Sequence, residues 1–128
     1  MDFAAFAALV FAVVAGGVVA FQLALALGAP WGAYAMGGAF PGRFPPPLRV
    51  AAVVQGVVIA LLAVAVLSDA GLAMPDLAAA FPWLIWIPVA VSVVAVVLNA
   101  ISRSAGERRI WVPVTAVMLV SSLIVALD

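Results

Sequence analysis

The chain has 128 residues, 70% of them hydrophobic and only 8% charged, with five arginines against five acids and no lysine, histidine or cysteine. Soluble domains run nearer about 45–50% apolar and about 25% charged, and a water-soluble fold of this size has too little interior for so much apolar surface. Zero formal net charge leaves no electrostatic case for nucleic acid, and the missing His and Cys remove disulfides, thiolate chemistry and the usual zinc and transition-metal ligands.

The first uncharged run covers residues 3–29. It is much longer than the roughly 7–15-residue core of a cleaved signal. No basic residue precedes Arg43, so we read a spanning helix here, although Ala24–Leu25–Ala26 has small residues at a cleavage spacing. Three more runs follow, at 50–68, 77–102 and 110–127. Each approaches the roughly 20 residues that an α-helix needs to cross hydrocarbon. Backbone groups in lipid must pair internally, and no alternating strand pattern is present, so helices are expected throughout.

The connections differ in kind. Residues 28–49 read GAPWGAYAMGGAFPGRFPPPLR, rich in Gly, Pro and aromatics, which predicts irregular backbone. Two readings are open for it: a loop tucked back among the helices to line a cavity, or a loop lying in the membrane interface with Trp31, Tyr34, Phe40 and Phe44 as anchors. Pro45–Pro47 favour an extended approach and a rigid start to the second helix. The second connection, 69–76, is a short turn with Gly71 as a stop and Pro75 as a start. Pro82 and Pro88 stand near the start of the third run, one to begin it and one to kink it. In the last connection Ser104-x-x-Glu107 has capping-box spacing, which starts the fourth helix near Ala105.

Orientation comes from arginine. Arg43 and Arg49 lie in the first connection, and Arg103, Arg108 and Arg109 in the third. Asp2, Asp69, Asp76 and Asp128 occupy the second connection and the termini. Short basic loops remain in the cytoplasm, so loops 30–49 and 103–109 are expected inside and both termini outside. Trp31 and Trp111 then fall near the inner interface, and Trp83 and Trp86 near the outer one.

The first run carries a small residue at every fourth position, through Ala4, Ala8, Ala12, Gly16, Ala20, Ala24 and Gly28, and the second a shorter set with Gly56 at its centre. Such ridges let backbones approach closely in lipid. They predict helix packing at Gly16, Ala20, Ala24, Gly28 and Gly56, within one bundle or between copies. Counting about 1.5 Å per residue from the inner ends places Gln22, Gln55, Asn99 and Thr115 at a similar depth in the inner half. One reading is a set of interhelical hydrogen bonds. The other is a polar pocket open to the cytoplasm, lined by Gln22, Gln55 and Asn99, covered by the Trp31 segment, with Arg49 and Arg103 at its rim to attract an anionic head group.

The strings GAPWG…GG…PP-x-R and Asn99-x-x-Ser102–Arg103–Ser104-x-x-Glu107–Arg108, with Trp111 and Pro113, resemble a family of uncharacterised small four-helix bacterial integral membrane proteins. The resemblance implies a four-helix fold, supplies no activity, and directs attention to the GAPWG loop and the segment from Asn99 to Arg109. The pattern of a small multidrug exporter, with an intramembrane Glu in the first helix, is not present.

The expected fold is an all-α integral membrane four-helix bundle forming one transmembrane domain over 1–128, multi-pass in the bacterial inner membrane. No run contains an acid, His or Cys, so neither catalysis, a metal nor a cofactor is expected. The expected role is a non-catalytic subunit or scaffold of a homo-oligomer or larger membrane complex, in contact with lipid. The alternative is a carrier, channel or binder of a small or lipid-like molecule.

Overall fold

In the computed structural model, which describes residues 2–128, the described residues are mostly helical and include no strand. Five helices follow in order: α1 (Phe3–Ala26), α2 (Pro46–Asp69), α3 (Pro75–Ala80), α4 (Trp86–Ala100) and α5 (Ala105–Leu127). Two 3-10 turns, Gly32–Tyr34 and Met36–Gly38, punctuate the first connection. Three helices, α1, α2 and α5, are long and apolar enough to cross a membrane.

Each boundary has a local cause. Asp2 caps α1 by accepting from the Ala5 N–H at 2.7 Å. That helix stops at Ala26 rather than at residue 29. Pro45 is the cap of α2 and Pro46 its first residue, a position where the missing N–H costs nothing, so α2 starts four residues before the expected 50. Ser104 caps α5 by accepting from the Glu107 N–H at 3.1 Å, and the helix begins at Ala105 as its spacing predicts.

The run at 77–102 is not one helix. Phe81 precedes a proline and sits at φ −130°, ψ 73°, off the helical region as such residues are. Pro82 therefore separates the six-residue α3 from a tight turn that leads into α4, with Leu84 N–H donating to Phe81 O at 3.0 Å and Trp86 N–H to Trp83 O at 3.1 Å. Pro88 falls in the first turn of α4, fully buried, where it breaks no helical bond. The fifteen residues of α4 span about 22 Å, short of the roughly 30 Å of a hydrocarbon core. Even so, the segment runs the length of the molecule. Ser68, near the end of α2, donates its hydroxyl to Met74 O at 2.7 Å and accepts from Ala78 N–H at 3.0 Å, which holds α3 at that end. Ser104 donates to Ala33 O at 2.8 Å at the opposite end.

Helix α1 is central, packed on α2 on one side and on α5 on the other, and α4 packs on α5. Helices α2 and α4 scarcely touch. The core is built around the Phe11 end of α1: Ala7, Ala8, Phe11 and Ala15 meet Leu62 and Val66 of α2 and Met118 and Val125 of α5. A smaller cluster of Leu25, Phe44 and Ala52 closes the other end. Outside this interior the surface stays apolar, with Val13, Val50, Val54, Leu61, Val94 and Leu98 all exposed. No more than 33% of the residues in each of the three apolar stretches are buried. A helix apolar on every face needs an apolar surrounding.

The small-residue ridge does not keep to one face of α1. Ala4 and Ala8 are buried, but Gly16 and Ala20 face outward, and a Cβ at Gly16 would meet nothing within 4 Å. Every fourth residue advances about 40° around a helix of 3.6 residues per turn, so by Gly16 the ridge has turned about 120° from Ala4. Inside the protein the packing stripe is Ala4, Ala8, Phe11 and Ala15, at alternating spacings of four and three. Ala24 is half-buried. Gly28 lies under the Arg49 guanidinium, 3.5 Å from where a Cβ would be, and Gly56 faces Gln22 of α1 at 3.6 Å on the same measure. Those last two remain contacts within the chain.

Candidate functional site

Because α2 and α4 stand apart, a lateral cleft of about 620 Å³ opens between them, floored by α1 and α5. It occupies the half of the bundle beyond the Phe11 core, at the end that carries the arginine-bearing connections. Each wall is one face of a helix. Leu48, Ala52, Gln55, Ile59 and Leu62 repeat every three or four residues on α2, and Val91, Ala95, Leu98 and Asn99 do so on α4. Phe21 and Gln22 of α1, with Glu107, Trp111, Thr115 and Met118 of α5, complete the floor.

The first connection closes the arginine end of the cleft. Tyr34, Ala35, Met36, Gly37 and Phe44 all line it. The irregular backbone is held by side chains of α5 and the connection before it: Trp111 Nε1 donates to Tyr34 O at 2.7 Å, and Ser104 Oγ to Ala33 O at 2.8 Å. Glu107 Oε2 accepts from Gly37 N–H at 2.8 Å and from Ser102 Oγ at 3.0 Å. The tuck requires glycine at Gly32, since a Cβ there would fall 1.9 Å from Phe40 O. At Gly37, φ of +68° turns the N–H toward Glu107. Of the two readings the sequence leaves open, the segment takes the cavity-lining arrangement, while Trp31, Tyr34, Met36 and Phe40 stay partly exposed on its outer side.

Three of the expected pocket residues, Gln22, Gln55 and Asn99, line the cleft. Gln22 Nε2 donates to Gln55 Oε1 at 2.9 Å, the one side-chain bond that joins two spanning helices among the described residues. Asn99 Nδ2 donates to Ala95 O of its own helix at 2.8 Å. Thr115, Ser121 and Ser122 likewise bond carbonyls of α5 itself, at 2.6, 2.7 and 3.1 Å. The interhelical network is thus one amide pair, and the other groups are satisfied locally without drawing helices together.

The other three lie off the wall. Trp31 stacks on Phe21 at 6.1 Å between ring centroids and buttresses the floor from behind. Arg49 donates its Nε to Phe44 O at 2.7 Å, bracing the turn into α2. Arg103 is exposed beyond the cleft mouth. No arginine lines the cleft, although Arg49 and Arg108 donate to the carbonyls of the lining residues Phe44 and Ser102. Comparison of the chain with protein-family models, curated proteins and solved structures gives no match.

Sequence reading passes over Glu107, whose capping-box spacing already explains it. The cap is only half formed as expected: Ser104 N–H goes to Ser102 Oγ at 3.1 Å, and the Glu107 carboxylate turns to Gly37 instead. The i, i+4, i+8 alignment of Glu107, Trp111 and Thr115 is the signal that puts this acid on the cleft-lining stripe of α5. No group of three acids on the described residues is placed to hold a metal ion.

Proposed function

We propose that the chain is a four-crossing integral membrane protein, without catalytic activity, that holds an apolar or lipid-like molecule in the cleft between α2 and α4. The observation that carries this reading is the void itself. A gap of about 620 Å³ opens sideways, toward the surroundings that the exposed valines and leucines require, and ends in a patch of amides, hydroxyls and one carboxylate. Sites for small amphiphiles are concave, mostly apolar, and oriented by a few polar groups. Of the residues that carry the likeness to small four-helix bacterial membrane proteins, Gly37, Asn99, Ser102, Glu107 and Trp111 line the cleft. The fourth crossing is supplied by the turn at Pro82 together with α4, since the chain between Ala78 and Ser102 joins opposite ends of the bundle. With the arginines inside, the lid faces the cytoplasm.

The chain lacks cysteine, so single substitutions Asp76→Cys and Arg103→Cys test the threading with a membrane-impermeant maleimide on sealed vesicles. Labelling from opposite sides is expected. Labelling from one side removes the fourth crossing and with it the wall made by α4. For the cleft, native mass spectrometry of the protein in mild detergent is expected to show a retained apolar molecule that Ala51→Phe displaces. A bare protein in both forms overturns the binding role.

A second reading has its own observation. Gly16, Gly17 and Ala20 form an outward small-residue face with open space above both glycines, and this suits close approach of another helix, as a subunit of a homo-oligomer or larger complex would need.

A further inference from the structure

We infer that the cleft selects an apolar-bodied cation, a substituted ammonium or phosphonium, with Glu107 as its counter-charge. The inference rests on the binding role proposed above and specifies what is bound. Among the described residues Glu107 carries the only formal charge on the cleft wall, and no arginine reaches it. Glu107 as a residue is 9% exposed, and its carboxylate's hydrogen bonds, from Gly37 N–H and Ser102 Oγ, both fall on Oε2. Oε1 accepts no hydrogen bond among the described residues. An anion placed there would meet a partly desolvated negative charge, whereas a cation gains an attraction little screened by water. Arg108, the nearest basic neighbour in sequence, is exposed and donates to Ser102 O rather than to the carboxylate.

The surroundings of Glu107 agree with its charge. Tyr34 and Trp111 line the same end, and Phe21 meets Trp111 edge-on with ring centroids 4.7 Å apart. Aromatic faces beside a carboxylate favour weakly hydrated cations such as quaternary ammonium groups. Gln22, Gln55 and Asn99 add carbonyl oxygens without adding charge. Beyond them Val91, Ile59 and Leu62 offer hydrocarbon, and Met118 a polarisable thioether, to the body of the ligand. The same chemistry is presented by the ammonium of an amine-bearing lipid and by a free lipophilic cation.

Equilibrium dialysis of the purified protein in uncharged dodecyl maltoside, against protein-free micelles, tests this with three probes of similar shape: tetraphenylphosphonium, neutral triphenylphosphine oxide and tetraphenylborate. Tetraphenylphosphonium is expected to bind tightest, and Glu107→Gln, which keeps an acceptor for Gly37 and Ser102, to weaken it about tenfold while leaving the neutral probe unchanged. Arg103→Gln is expected to alter none of the three. Displacement of the bound cation by phosphatidylethanolamine identifies a lipid ammonium as occupant, and its persistence identifies a free cation. Equal binding of all three probes, or tighter binding of tetraphenylborate that Arg103→Gln abolishes, overturns the charge selection and leaves the cleft as a neutral or anion-binding site. Binding of no probe overturns the cleft role itself. Because the three probes are compared on the unaltered protein, the result stands even if Glu107→Gln does not fold.

Discussion

Around Phe11 the helices close on alanine, whereas around Gln22, about 16 Å further along α1, they stand apart. In the first region Ala7, Ala8 and Ala15 let α2 and α5 approach until Phe11 and Val66 are wholly buried. In the second, Gln22 and Gln55 spend their hydrogen bond on each other, Asn99 spends its own on α4, and among the described residues no side-chain hydrogen bond joins α2 to α4. The contrast is one of side-chain size and bond direction rather than of polarity alone. Ser121 and Ser122 are polar and buried and leave no void, because small hydroxyls fold back on their own helix. A polar residue opens a bundle only where its neighbours fail to fill the space beside it.

The contrast breaks most sharply at Phe11. Phe11→Ala is expected to cost about 3–5 kcal/mol by leaving a void in the closed half, read as loss of the folded form in a denaturant titration in mixed micelles. Next comes a matched pair of insertions. Ala15→Phe has no room and is expected to cost about 1–3 kcal/mol or to prevent folding. Ala51→Phe points into the cleft and is expected to leave stability within about 0.5 kcal/mol. Similar losses from the two would show that the cleft does not exist in the folded protein. Glu107→Ala removes the acceptor of Gly37 N–H and Ser102 Oγ and is expected to cost about 1–3 kcal/mol. Proteolysis of the first connection should rise with it, and an unchanged cleavage rate would separate the lid from Glu107. Gln22→Leu is expected to cost about 0.6 kcal/mol, the usual worth of an interhelical bond in lipid, and Asn99→Leu less, since its amide bonds only its own helix. Smallest of all within the monomer is Gly16→Leu. It meets nothing inside the chain, so a change in its melting or in particle size by multi-angle scattering would mark a contact between copies.

Much of this arrangement is legible in the residues. The cap at Ser104, the break at Gly71, the irregular loop after Gly28 and the common depth of Gln22, Gln55 and Asn99 all follow from local chemistry or from counting. What the residues leave open shares a cause. A four-residue ridge looks continuous on the page but winds around the helix, which carries Gly16 and Ala20 away from the face that holds Ala8. A hydrophobic run shows no break at Phe81, because the break comes from the backbone limits imposed by the following proline and not from polarity.

The amino-acid order by itself determined an all-helical chain too apolar for water, with its guanidinium groups gathered in two connections. Those properties depend on the transfer energies of single residues and on short-range backbone preference. Only the tertiary structure decided which helices touch, that α2 and α4 leave a cleft, that Arg49 and Arg103 miss it, and that Glu107 turns from its own helix end to hold Gly37, 70 residues away. Such contacts depend on the relative rotation of whole helices, and a few degrees at each residue decide whether a side chain faces a neighbour, a void or the surrounding lipid.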